Sequence, residues 1–135
     1  MLIHRRTFAG RPEEVRKARE WTRKLLADAF CVDDAALIVT ELGANAVTHT
    51  TGPAFRVTIT RTPEAVTLAV TDTGATTTRP QVTHPHQDAT HGRGLAIVTT
   101  LADDVKVHHT ARGHTVTARL PLPAALPTTR EAQPC

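Results

Sequence analysis

At 135 residues, 40% hydrophobic and 21% charged, the chain has the size and composition of one soluble globular domain. A formal net charge of only +3, with no Lys/Arg block interleaved with aromatics, argues against direct nucleic-acid binding. No apolar run is long enough to span a bilayer and Met1 to Phe8 has no signal-peptide core, so no membrane partner is expected and the cytoplasm is the expected location.

Aromatics make up 3% of the chain, so the core must be built from Ala, Val, Leu and Ile. Leu2 to Phe8 reads as a short first strand, broken by Gly10-Arg11-Pro12. Pro12 suits the first turn of a helix, and Glu13 and Glu14 suit its positive end. Val15, Ala18, Trp21, Leu25 and Ala29 follow at helical spacing. Asp33 or Asp34 caps a second helix that runs from Ala35 to His49 and ends before Thr51-Gly52-Pro53. Phe55, Val57 and Ile59, then Val66, Leu68 and Val70, alternate with polar or small residues around Thr62-Pro63-Glu64, which predicts a hairpin with one buried face. Asp72 to Gly92 carries no periodicity and is rich in Thr, Pro and His; a loop of that length in a compact domain is usually functional. Leu95 to Leu101 reads as a short apolar helix, and Val105–His109 with Thr115–Leu120 as a second hairpin around Arg112-Gly113. The Pro-rich remainder, residues 121–135, reads as a disordered tail behind a single domain over 1–120. The two cysteines, Cys31 and Cys135, indicate neither a disulfide framework nor a zinc site. The order β-α-α-β-β-loop-α-β-β predicts an α+β fold in two layers, with helices on one face of a mostly antiparallel sheet.

Three motifs carry chemistry. The second helix is apolar nearly all round, yet Glu41, Asn45 and His49 fall four residues apart and form one narrow stripe without Lys or Arg. A carboxylate, an amide and an imidazole in a row bind metal or position water, although a stripe of this kind is also what a solvated helix face looks like. Thr71-Asp72-Thr73-Gly74 ends a strand; Asp72 can accept from the exocyclic amine of a purine and Gly74 lets backbone approach a ring, but the pattern also occurs in ordinary turns. His91-Gly92-Arg93-Gly94-Leu95 opens the third helix, where backbone N–H groups and Arg93 can face an anion. It does not follow a strand, so it is not a Rossmann turn.

Glu41-Leu42-Gly43-Ala44-Asn45-Ala46-Val47-Thr48-His49, Asp72-Thr73-Gly74 and Gly92-Arg93-Gly94-Leu95-Ala96-Ile97-Val98 resemble, in order, the N, G1 and G2 boxes of the histidine-kinase-like (GHKL) ATPase superfamily, over about Val15 to Leu120. The resemblance implies the Bergerat fold, a two-layer α/β sandwich on a mostly antiparallel mixed sheet, with residues between Gly74 and Gly92 as an ATP lid. Its branch resembles the short bacterial anti-sigma-factor serine/threonine kinases. That implies ATP and Mg2+ as ligands, Glu41 as general base, Asn45 as the magnesium ligand, Asp72 and Gly74 at the adenine, and Gly92, Arg93 and Gly94 at the phosphates. His91 and Leu95 are implied beside the nucleotide, and His49 either near the phosphates or simply as the end of its helix. Gly113-His114-Thr115-Val116 resembles the family's closing hairpin and adds Thr115 to the nucleotide side.

The implied activity is phosphorylation of a small antagonist protein, with a sigma-factor-like protein as the other partner and a homodimer as the assembly. The alternative is a non-catalytic module that uses ATP to set its affinity for a transcription factor. The chain departs from the family after Leu101-Ala102-Asp103, where Asp104-Val105-Lys106-Val107 replaces an aromatic and a glycine, and it has no glycine between Gly74 and Gly92. Arg79, His91 and Arg93 are the candidate cations for the transferred phosphate. His84, His86, His91, His108 and His109 raise a transition-metal site as a rival, but no carboxylate or cysteine completes a pattern, so solvated histidines are expected.

Overall fold

The computed structural model describes residues 1–49, 52–72, 89–110 and 113–123. Eight elements follow in the order β1 (Leu2–Ala9), α1 (Pro12–Leu25), α2 (Val32–His49), β2 (Ala54–Arg61), β3 (Ala65–Asp72), α3 (Ala89–Leu101), β4 (Asp104–Thr110) and β5 (Gly113–Pro121). The five strands form one sheet in the order β1-β2-β3-β5-β4, and each neighbouring pair is antiparallel. The predicted α+β architecture is the one observed, with no parallel pairing among the described strands. The expected lid between Gly74 and Gly92 lies outside the described residues as far as residue 88, as does the tail from residue 124.

Strand alternation decides which face the helices cover. Phe55, Val57 and Ile59 on β2 are in register with Asp72, Val70 and Leu68 on β3, and Val66, Leu68 and Val70 with Leu120, Ala118 and Val116 on β5. These side chains point into one layer and are buried, Val116 partly. The other face carries Thr58, Thr60, Thr67, Thr71, Thr115 and Thr117, all half-exposed. Above the buried face lies α2, whose Ala35, Ile38, Val39, Leu42 and Ala46 join the core. Each fully buried Leu, Ile or Val there contributes about 1.5–3 kcal/mol. The few aromatics gather at one corner: Phe8 stacks on Phe55 at 5.5 Å and meets Trp21 edge-on at 5.8 Å.

The first helix begins where expected, with Pro12 in its first turn, Glu13 and Glu14 there too, and Arg23 and Lys24 in the last. Glu14 accepts from the backbone N–H of Ala9 at 3.4 Å and pairs with Lys17 at 2.9 Å, which fastens the β1–α1 corner. The Lys17 hydrogen bond holds the Glu14 carboxyl below its ordinary value. The helix ends at Leu25 rather than at Ala29. Ala29 remains buried within the turn that leads to α2, so its helical spacing was a consequence of burial alone. Among the described residues no helix is long and apolar enough to cross a membrane.

Candidate functional site

The predicted stripe lies along one flank of α2. The open positions of that helix are Asp33, Leu37, Ala44 and Thr48, whereas Glu41, Asn45 and His49 are half-buried. The stripe is therefore not the solvated face. Glu41 reaches across to α3: a Cβ built on Gly94 would lie 2.8 Å from its Oε1. The absence of a side chain at Gly94, which is buried, is what lets α3 close on the Glu41 carboxylate.

The third helix begins at Ala89, six residues before the predicted start. Gly92 and Gly94 therefore lie inside its first two turns instead of ahead of it. Glycine in a helix costs about 1 kcal/mol relative to alanine, so local propensity hid this start, and packing against α2 supplies what propensity lacks. The backbones of His91, Gly92 and Arg93 belong to the first turns of α3. In such a turn the leading N–H groups have no intrahelical partner. Leu95 is half-buried against the core. Gly74 and Arg79 lie outside the described residues.

Asp72 closes β3 on the helix-covered face, opposite Phe55. Gly43 of α2 stands directly over Phe55, its hypothetical Cβ 3.5 Å from the ring. The turn of α2 from Glu41 to Asn45 thus passes over the end of the sheet that holds Asp72. Asp72 is only 6% exposed. Its Oδ1 accepts the backbone N–H of His114 at 3.2 Å, and its Oδ2 lies 3.3 Å from His114 Nδ1. Gly113 precedes with φ +151°; a Cβ there would overlap the Asp72 carbonyl oxygen and come within 2.5 Å of Oδ1. Only glycine fits at that point.

Thr115 is placed differently from the other expected site residues. Its hydroxyl meets that of Thr71 at 2.9 Å on the outer face of the sheet, away from the helices. The residue of β5 that shares a face with Asp72 is His114, also 6% exposed, which the motif-based reading passed over. The signal was available: Val116, Ala118 and Leu120 alternate inward, and residue 114 has their parity. His108 and His109 fall on opposite faces of β4 and are exposed, as expected. His109 sits edge-on to His114 at 4.7 Å between ring centroids. No cluster of three or more His, Cys, Asp or Glu suited to a metal ion occurs among the described residues; His84 and His86 lie outside them.

Together these elements frame a site between two helices and a strand end. The flank of α2 offers Glu41, Asn45 and His49, the end of β3 offers a buried carboxylate, and α3 approaches without a side chain at Gly94. The sequence pattern of the histidine kinase-like ATPase domain matches residues 8–120, and the chain belongs to that family. The fold is similar to the crystal structure of the RsbU and RsbW domains of Rv1364c from Mycobacterium tuberculosis, with a TM-score of 0.67 at 22% identity. That similarity covers 95% of this chain and 35% of the other, so the chain spans about a third of the length of the protein it resembles. No curated protein matches the chain.

Proposed function

We propose that this domain binds ATP with magnesium and acts as a serine/threonine protein kinase of the anti-sigma-factor type. The observation that supports it most is the placement of the turn of α2 bearing Glu41 and Asn45: its Gly43 lies over Phe55, whose register partner is the buried Asp72, while Glu41 lies against Gly94 of α3. A carboxylate 6% exposed that keeps unused lone pairs is suited to an amine donor such as the 6-amino group of adenine. Half-buried Asn45 offers an uncharged oxygen of the kind magnesium accepts, and the bound ion would neutralise phosphate charge. The first turn of α3 would offer backbone donors and a positive helix end to phosphate oxygens.

In the transfer step a seryl or threonyl hydroxyl of the substrate attacks the γ-phosphorus, the bond to the β-bridging oxygen breaks, and ADP departs. Glu41 accepts the hydroxyl proton. Half-buried, its carboxylate lies against α3 at Gly94, where the missing side chain leaves room for it. The likeness in fold to the RsbU and RsbW domains of Rv1364c is compatible with this reading, and the antagonist protein and sigma-factor-like protein are the partners we propose on the resemblance of the sequence boxes.

Titration calorimetry with ATP, with and without magnesium, tests the site. Magnesium-dependent binding that Asn45→Ala and Asp72→Asn each weaken by about tenfold or more is expected, a loss typical of one charge-assisted contact. Absence of binding in the wild type refutes the reading. Glu41→Gln is expected to keep ATP binding while lowering transfer of labelled phosphate to an antagonist protein by roughly 10²–10⁴-fold. Tight ATP binding by a wild type that transfers nothing would instead make the domain an ATP-dependent protein-binding module.

A further inference from the structure

We propose that His114 is the positioning residue for Asp72, and that its imidazole sets the preference of this site for purines bearing a 6-amino group. The proposal rests on the nucleotide-binding reading above and assigns a role within that site to a residue outside the three boxes.

A carboxylate at a strand end turns freely about its last torsion, because that sp³–sp² torsion has broad minima. To select an amine it must be held with a lone pair facing the ligand. Both oxygens of Asp72 are engaged by one residue: the backbone N–H of His114 on Oδ1 at 3.2 Å, and its ring Nδ1 at 3.3 Å from Oδ2. The backbone bond would exist with any residue at that position. The ring contact exists only because the residue is histidine. With both contacts made, the carboxylate plane is fixed, and each oxygen retains a lone pair for a ligand.

The imidazole is itself confined. It is 6% exposed, and the His109 ring of β4 stands edge-on beside it at 4.7 Å. Gly113, without a Cβ, lets β5 lie close enough for both contacts. The hydrogen bond to the carboxylate requires the proton on Nδ1. In the neutral ring this leaves Nε2 unprotonated, a tautomer that the neighbouring carboxylate selects.

The test compares magnesium-ATP with magnesium-purine riboside triphosphate, which lacks the 6-amino group, by calorimetry on the full chain. A wild-type preference for ATP of about 30-fold is expected, the value of one charge-assisted hydrogen bond. His114→Ala should reduce that preference to about threefold while leaving the affinity for the desamino nucleotide nearly unchanged. His114→Asn, whose side-chain N–H occupies the place of Nδ1–H, should restore most of it. A purely structural role predicts equal weakening of both nucleotides, and that result, or an unchanged preference in His114→Ala, overturns the proposal. A wild type that binds both nucleotides equally also overturns it while leaving the nucleotide site intact; a wild type that binds neither removes the site and the proposal together. A measurement free of variants guards against misfolding. Imidazole ¹⁵N spectra of the wild type should show a protonated Nδ1 on His114 whose signal moves with ATP and stays still with the desamino nucleotide. An unprotonated Nδ1 in the neutral ring overturns the assignment.

Discussion

Replacing Gly94 with alanine separates stability from activity, because the two effects arise from different atoms. Alanine in place of glycine inside a helix is worth about 1 kcal/mol. The new methyl would lie 2.8 Å from Glu41 Oε1 and 3.8 Å from its carboxyl carbon, so the carboxylate must retreat. It has to move by roughly half an ångström to reach ordinary van der Waals separation. Glu41 is half-buried, and its terminal carboxylate can turn aside at a rotamer cost of about 0.5–1.5 kcal/mol. The two terms nearly cancel, so the melting temperature without nucleotide should stay within about 3 °C of the wild type. For the kinase proposed above, moving the Glu41 carboxylate would cost the base its alignment, and phosphoryl transfer should fall roughly 10–100-fold. The decisive comparison is the same substitution in a Glu41→Ala background. There the carboxylate is gone and the methyl meets the remaining Cβ of residue 41 at 3.9 Å, an ordinary van der Waals contact, so the propensity gain is realised and Gly94→Ala should raise the melting temperature by about 4 °C. Thermal unfolding of the four proteins measures the coupling directly. Equal shifts in both backgrounds would show that Glu41 does not bear on α3, and the account of why α3 carries glycine at this position would fail.

Two further predictions concern the frame of the site. Gly113→Ala places a Cβ against the Asp72 backbone at a positive φ, and neither partner can turn aside; a loss of about 2–4 kcal/mol is expected, read as a melting-temperature drop of roughly 10 °C. At the other end of β2, Arg61 donates to both oxygens of Asp28 at 3.0 and 3.3 Å and holds that carboxyl below its ordinary value. A depressed folded-state value means that this pair stabilises the fold above the unfolded carboxylate range and ceases to do so as pH falls through the lower folded value. Denaturant titrations of wild type and Arg61→Ala should therefore differ slightly at neutral pH and low salt, converge on acidification, and also converge in high salt, since Asp28 is largely exposed. A difference that persists in acid would show that the effect is not this ion pair.

The parts of the fold legible in the sequence are those with a single strong period. Phe55, Val57 and Ile59, with Val66, Leu68 and Val70, announced the central hairpin because every second residue had to enter the core. The Glu41–Asn45–His49 stripe was legible because its helix is otherwise so apolar that three polar residues on one line stand out. The start of α3 was not legible: Ala89 to Gly94 has two glycines and no apolar period, and it packs at Gly94 against Glu41, which lies 53 residues away in sequence. Burial of Ala29 in a turn imitated a further helical step for the same reason, since apolar spacing reports burial before it reports secondary structure.

The choice between Thr115 and His114 turns on parity. A motif fixes the order of residues along the chain, whereas a strand sends successive side chains to opposite faces. Once Val116, Ala118 and Leu120 are assigned to the core, Thr115 is committed to the outer face, where it meets Thr71, and His114 to the inner face, where it meets Asp72. The two contacts involve successive residues of β3 and of β5 and lie on opposite sides of the sheet. The outer pair ties the strands together at the level of the site, and the inner pair sets the group that would meet a purine. A change at Thr115 can reach the ligand only by shifting the strands, so it should alter all nucleotides alike. A change at His114 acts on one hydrogen bond and should tell one purine from another.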